Sequence, residues 1–292
     1  MQKKTALVLS GGGAKGAFQF MAEKYAREVK GYRWQIISGV SVGALNGMML
    51  AMEKYLRLEE LWTNISREQI FTGRLNFWAI LKVALGAKSI YNNAPLWKLI
   101  QEEYEPDKIR ADLRVGAVSL SQGRLTRFVP TDPGFARAVL ASTAIPVYWK
   151  PVKVSPMYPD MVDGGVRDIS PMGDVLDSEP DEIVIINCDP SHPPVRIESF
   201  RNAIDIGIHT LGLMMNEILV NDVREFIRIN RNVQEAAAGN VQLHNDKGKV
   251  YKAYQYKLIE PDENLGDTLD FSPEMIHRRM DAGWEKAKEV LG

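Results

Sequence analysis

The chain has 292 residues, of which 45% are hydrophobic and 25% charged, and its formal net charge is −1. These values describe a globular protein with a sizeable core and exclude the disordered, collagen-like and disulfide-rich classes. A balance so close to neutral lacks the broad positive field that nucleic-acid binding needs, so no nucleic-acid partner is expected.

The first element in chain order is the apolar run Ala6 to Leu9, read as a strand. Two lysines precede it, but the run is too short for a signal-peptide core and passes straight into Ser10-Gly11-Gly12-Gly13. Ala14 to Val29 then reads as a helix. The pattern of strand, glycine turn and helix repeats at once, with Trp34 to Ile37, Gly39-Val40-Ser41-Val42-Gly43 and Ala44 to Met52. Further strands are expected over Leu113 to Leu120, Leu125 to Val129 and Ile183 to Cys188, with helices over Pro133 to Ala141 and Pro273 to Val290. From Ser199 to about Ala238, Ile204, Ile208, Leu211, Met215, Ile218 and Leu219 recur at helical spacing, which core packing explains. Strands alternating with helices imply an α/β fold with a mostly parallel central sheet covered on both faces. With no linker, repeat or composition break, a single domain over residues 1–292 is expected. No stretch approaches the roughly 18 uncharged apolar residues of a membrane-spanning helix, so membrane contact is expected to be peripheral. The lone cysteine, Cys188, ends an apolar run, reads as a buried inert thiol and suits a reducing, cytoplasmic setting.

Gly39-Val40-Ser41-Val42-Gly43 fits a nucleophile elbow, a strained strand-to-helix turn on which Ser41 would project its hydroxyl above the sheet. The amide of Val42, at the N-terminus of the following helix, can donate to an oxyanion forming beside it. Gly11-Gly12-Gly13-Ala14-Lys15-Gly16 could in isolation cradle a phosphate, yet it lacks the G-K-[ST] ending of a Walker loop and the G-x-G-x-x-G spacing of a dinucleotide site. Beside a loop that carries a serine, three glycines make better sense as amide donors to a tetrahedral oxyanion. Lys15 either adds positive charge there or lies on the surface.

A serine nucleophile needs a base. His209 and His277 fall inside predicted helices, His244 precedes a turn, and only His192, in the loop after a strand, is geometrically tempting. Asp163 is the better candidate. It closes the apolar Met161-Val162 and is followed by Gly164-Gly165, which allow close backbone approach. Partial burial would lift its basicity enough to accept the serine proton. No His/Cys/Asp cluster has metal-ligand spacing, so no metal, calcium included, and no cofactor is expected.

With these pieces in place, the chain resembles the patatin-like phospholipases, serine-aspartate dyad acyl hydrolases on a three-layer α/β/α fold. The resemblance rests on Gly11-Gly12-Gly13-Ala14-Lys15-Gly16, Gly39 to Asn46, Ala141-Ser142-Thr143-Ala144-Ile145-Pro146 and Asp163-Gly164-Gly165, in the family's order. It covers about the first 170 residues, and nothing beyond Pro171 is diagnostic. It implies Ser41 as nucleophile, Asp163 as its partner, and the amides of Gly11, Gly12 and Gly13 as the oxyanion hole. It also implies that the Ala141 to Pro146 block packs beside the active site. The chain departs from the family at Lys15, often arginine, and at Asp168, often asparagine; if Asp168 faces the site, its charge would raise the Asp163 pKa. The implied reaction is hydrolysis of lipid or simple carboxylic esters through a Ser41 acyl-enzyme. Transfer of the acyl group to an acceptor other than water, or a catalytically silent lipid-binding module, are the rival readings. Phe77-Trp78-Ala79-Ile80-Leu81-Lys82-Val83-Ala84-Leu85 is apolar around most of a helical turn and is either a lid or lipid-facing wall, with Phe77, Trp78, Leu81 and Leu85 as its face, or a helix packed on the core.

Overall fold

The computed structural model describes residues 3–74, 76, 81–82, 85–192, 203–245 and 248–292. Seven strands form one sheet: β1 (Thr5–Leu9), β2 (Ile36–Val40), β3 (Asp112–Ser119), β4 (Arg124–Phe128), β5 (Met161–Asp163), β6 (Glu182–Ile186) and β7 (Gln255–Ile259). They lie in the order β4-β3-β2-β1-β6-β7, with β5 also on β3. The five strands from β3 to β7 along that path are parallel, whereas β4 and β5 run antiparallel to β3.

Side chains of β1 alternate between two cores, which explains why it reads as an unbroken apolar run. Leu7 and Leu9 face one side with Ile37, Leu113, Val184 and Ile186. Ala6 and Val8 face the other with Ile36, Ile183 and Ile185. The register pairs Leu7 with both Ile37 and Val184, so the alternation stays in phase across the central strands.

The first face is covered by α1 (Gly16–Glu28), α2 (Val42–Ala51) and α9 (Pro273–Leu291), with α3 (Tyr55–Asn64), the short α4 (Arg67–Ile70), α5 (Ala94–Glu103) and α6 (Phe135–Ser142) beside them. The opposite face is covered by the short α7 (Gly173–Leu176) and by the buried part of the long α8 (Ala203–Ala238), through Leu219, Val223 and Phe226. The result is the expected three-layer α/β/α arrangement. From β1 the chain proceeds to one side through β2 and β3, while β6 and β7 lie on the other. The crevice at the carboxyl ends of β1 and β6 is therefore a topological switch point, where open α/β sheets hold their ligands.

Candidate active site

The loops that follow β1 and β2 open at that crevice. Ser41 sits between β2 and α2 with φ 56° and ψ −125°, a left-handed conformation that is strained for a residue with a Cβ. Its flanking glycines are required by close packing. A Cβ on Gly39 would lie 2.3 Å from the Gly43 carbonyl oxygen, and one on Gly43 would lie 2.2 Å from that of Leu9. The Ser41 amide donates to Ser142 Oγ at 2.9 Å, and that hydroxyl donates onward to the Gly116 carbonyl at 2.6 Å. Ser142 thus fixes the elbow to β3, a role that no sequence pattern assigns to it.

The antiparallel β5 delivers Asp163. Strands β2 and β4 occupy opposite edges of β3, and β5 takes over the edge that β2 vacates beyond Val40, with Asp163 opposite Ala117. The next residue, Gly164, crowds Val40 and the Gly116 carbonyl so closely that a Cβ there would lie 2.5 Å from the latter. Asp163 therefore arrives beside Ser41. Its Oδ1 accepts from the Gly165 amide at 2.8 Å, its own amide donates to the Ala144 carbonyl at 3.0 Å, and the buried Oδ2 has no hydrogen-bond partner. Burial pushes the carboxyl up to about 7, against the smaller opposing pulls of the Gly165 amide and the Ser41 hydroxyl. Ser41 is thus near enough to act on the carboxylate without forming a hydrogen bond of full geometry, as is common before substrate binds.

No histidine is among the groups acting on Asp163. His192, His244 and His277 are exposed, and His277 bonds the Pro273 carbonyl of its own helix.

The glycine loop departs in part from expectation. The Gly11 amide donates to the Ile169 carbonyl at 3.0 Å, so it is not available to an oxyanion, although a Cβ on Gly11 would touch that of Ser41. The amides of Gly12 and Gly13 make no such bond among the described residues, and Gly13, with φ 57°, lines the same cavity as Ser41 and Val42. Lys15 lies neither free beside the site nor on the surface. It is buried and paired to Asp189 at 2.5 Å, which neutralises it. Asp168 does not act on Asp163. It pairs with Asp222, and burial together with their mutual repulsion pushes its carboxyl up to about 7. Cys188 is buried, and burial first of all pushes its thiol up to about 12.

The cavity beside Ser41 is about 100 Å³ and lies among α2, α3 and α5. Thr143, Ile145 and Trp149 border it near the serine, so the Ala141 to Pro146 block does abut the site. Leu81 and Leu85, one helical turn apart, are exposed, whereas Phe77 and Trp78 lie outside the described residues. Among the described residues, no three of His, Cys, Asp and Glu gather into a group that could hold a metal ion.

A family model described as patatin-like phospholipase matches residues 7–176, more than half of the chain. The chain belongs to the patatin-like phospholipase family. That family implies lipid acyl hydrolysis as the class of activity. Among solved structures, the patatin-like chain is similar to VipD from Legionella pneumophila, at 16% identity and a TM-score of 0.49, with 100% of this chain and 67% of that one covered. No curated protein matches it. Among the described residues no helix is long and apolar enough to cross a membrane.

Proposed function

We propose that the protein hydrolyses lipid-like carboxylic esters through a Ser41 acyl-enzyme, with Asp163 as its base. The observation that carries this reading is the pairing of a strained, elbow-borne serine with a buried carboxyl raised to about 7 whose free oxygen has no other partner. Such a group is a far stronger base than an ordinary aspartate, yet it is still ionised for part of the time at neutral pH.

In the first half-reaction Ser41 Oγ attacks the ester carbonyl carbon while its proton moves to Asp163. The oxyanion is met by amides at the N-terminus of α2 and in the loop after β1, namely Val42, Gly12 and Gly13. Collapse breaks the bond to the alcohol, which leaves with the proton from Asp163. In the second, water gives its proton to Asp163 and attacks the acyl carbon, and the proton then returns to Ser41 as the free acid departs. The exposed Leu81 and Leu85 would rest on a lipid surface.

The test is a fluorophosphonate probe together with a nitrophenyl ester. Ser41→Ala should abolish labelling and lower turnover by at least about a thousandfold. Labelling or hydrolysis that survives in a folded Ser41→Ala protein would exclude Ser41 as nucleophile.

A further inference from the structure

The cavity that opens at Ser41 has a buried far end, and that end has a definite position. Ser41 lies at the N-terminus of α2, and the cavity follows that helix through Leu45 to Met48 and Met49. From Ser41 to Met49 the helix rises about 12 Å. At that depth the lining is buried. Met49, Leu58 and Ile100, each no more than 3% exposed, come together from α2, α3 and α5. Behind them lies Glu103, the one carboxylate on the lining, which is held by Arg57 Nε at 2.8 Å and by Lys54, whose Nζ donates to the Glu103 carbonyl at 2.5 Å. An alkyl chain that pushed on past Met49 would have to displace the buried Glu103 from its half-exposed partner Arg57 and from Lys54, which is costly for the carboxylate.

The side walls are held as firmly. Trp62 packs against the backbone of Gly16, and its indole N–H donates to Asn46 Oδ1 at 2.9 Å; Asn46 in turn donates to Gln19 Oε1 at 3.0 Å and to the Gly16 carbonyl at 3.1 Å. This buried network ties α1, α2 and α3 together, so the tunnel cannot widen by letting Trp62 swing away. Its free volume of about 100 Å³ is about two thirds of the roughly 150 Å³ of a cavity that takes the six carbons of a benzene ring, so it holds about four carbons without any adjustment. A fully extended alkyl chain advances about 1.25 Å per carbon, so the 12 Å run along α2 sets an upper limit of about nine carbons.

We infer that this tunnel is an acyl ruler, taking straight chains of about four to nine carbons and refusing the chains of about sixteen found in ordinary membrane lipids. The inference rests on the Ser41 hydrolase reading, because the ruler is measured from that serine. Nitrophenyl esters from acetate to palmitate, presented at one concentration in the same mixed micelles, should show kcat/KM greatest between butyrate and octanoate and at least tenfold lower for palmitate. Met49→Phe should lower the octanoate-to-butyrate ratio several-fold. Met49→Ala should raise the dodecanoate-to-hexanoate ratio. Ratios within one preparation are insensitive to how much of a variant folds, and the filling variant covers the case in which the cavity-forming one does not fold. Palmitate hydrolysed as well as hexanoate by the parent, with activity lost in Ser41→Ala, would overturn the ruler and leave the hydrolase intact. Ratios unmoved by either folded variant would do the same. Absence of hydrolysis on every ester, or hydrolysis independent of Ser41, would overturn the hydrolase reading and the ruler with it.

Discussion

At the scale of single residues, the proposed chemistry turns on one carboxyl group. Asp163 is completely buried, its Oδ1 is already satisfied by Gly165, and desolvation lifts it from 3.8 to about 7. Two consequences have opposite signs. Catalysis needs the ionised form, so kcat/KM should rise with pH and reach half of its plateau near pH 7. Stability should move the other way. The folded protein keeps this proton up to about pH 7, whereas the unfolded chain releases it near 3.8, so folding weakens as pH rises through that window. Asp163→Asn removes the base and the penalty together. Turnover should drop by about two to four orders of magnitude, while the variant gains stability relative to the parent between pH 4 and 8, on the order of 3 kcal/mol at the top of the range. Thermal melts and ester kinetics at matched pH read both. His192→Ala, at an exposed position, should leave turnover within about a factor of two. A collapse of activity in that variant with its fold intact would replace the dyad by a triad.

The secondary elements show which local patterns could be read in advance. Strands β1, β2 and β6 and the glycine turns after β1 and β2 were legible, because strands buried on both faces are continuous apolar runs and an elbow needs glycine where backbones nearly touch. Helices α3 and α5, which wall the cavity, are amphipathic but only 10 residues each, and the edge strand β7 mixes polar and apolar residues, so none of the three stands out in the sequence. The segment ending at Leu85 had two readings, a core-packed helix or a lipid-facing wall. Leu81 is 37% exposed and Leu85 79% exposed, which does not fit core packing at those two positions. If they rest on lipid, Leu81→Lys together with Leu85→Lys should reduce sedimentation of the protein with phosphatidylcholine vesicles several-fold, with little change on a water-soluble acetate ester. Equal vesicle binding by parent and variant would dismiss that contact.

Across the whole molecule, the C-terminal third holds the catalytic loops in place although it lies outside the family match. Helix α9 packs on α1 so closely that a Cβ on Gly283 would lie 2.1 Å from the Phe18 carbonyl oxygen. From α9 the fully buried Arg279 donates to the carbonyls of Leu265, Asp267 and Asp270 at 3.0, 2.8 and 2.6 Å. The loop so pinned presents the Thr268 carbonyl to the Ala14 amide at 2.8 Å, and a Cβ on Gly13 would strike that same carbonyl at 2.4 Å. Arg279 is thus a brace for the glycine loop. Arg279→Met should cost about 2 kcal/mol or more, since three carbonyls lose a donor and that of Leu265 is buried. In the fraction that remains folded, kcat should fall while KM changes little, because Gly12 and Gly13 lose their support. Urea unfolding and steady-state kinetics test both, and an unchanged midpoint with unchanged kcat would remove Arg279 from this role.

The sequence by itself pointed to the α/β architecture, to the elbow at Ser41 and to Asp163 as a candidate base, because each depends on short-range constraints: apolar runs, glycines at forced contacts, a carboxylate at a strand end. Only the tertiary structure decided how those parts serve one another. The antiparallel β5 takes the edge of β3 that β2 leaves, and it is this register that sets Asp163 against Ser41. Ile169 claims the Gly11 amide, Asp189 buries and neutralises Lys15, and Asp222 draws Asp168 into a pairing of its own. Each of these contacts joins residues separated by tens to well over a hundred positions in the chain. A local pattern shows what a group is, but its charge, its free hydrogen-bonding capacity and its pKa are set by neighbours that only folding supplies.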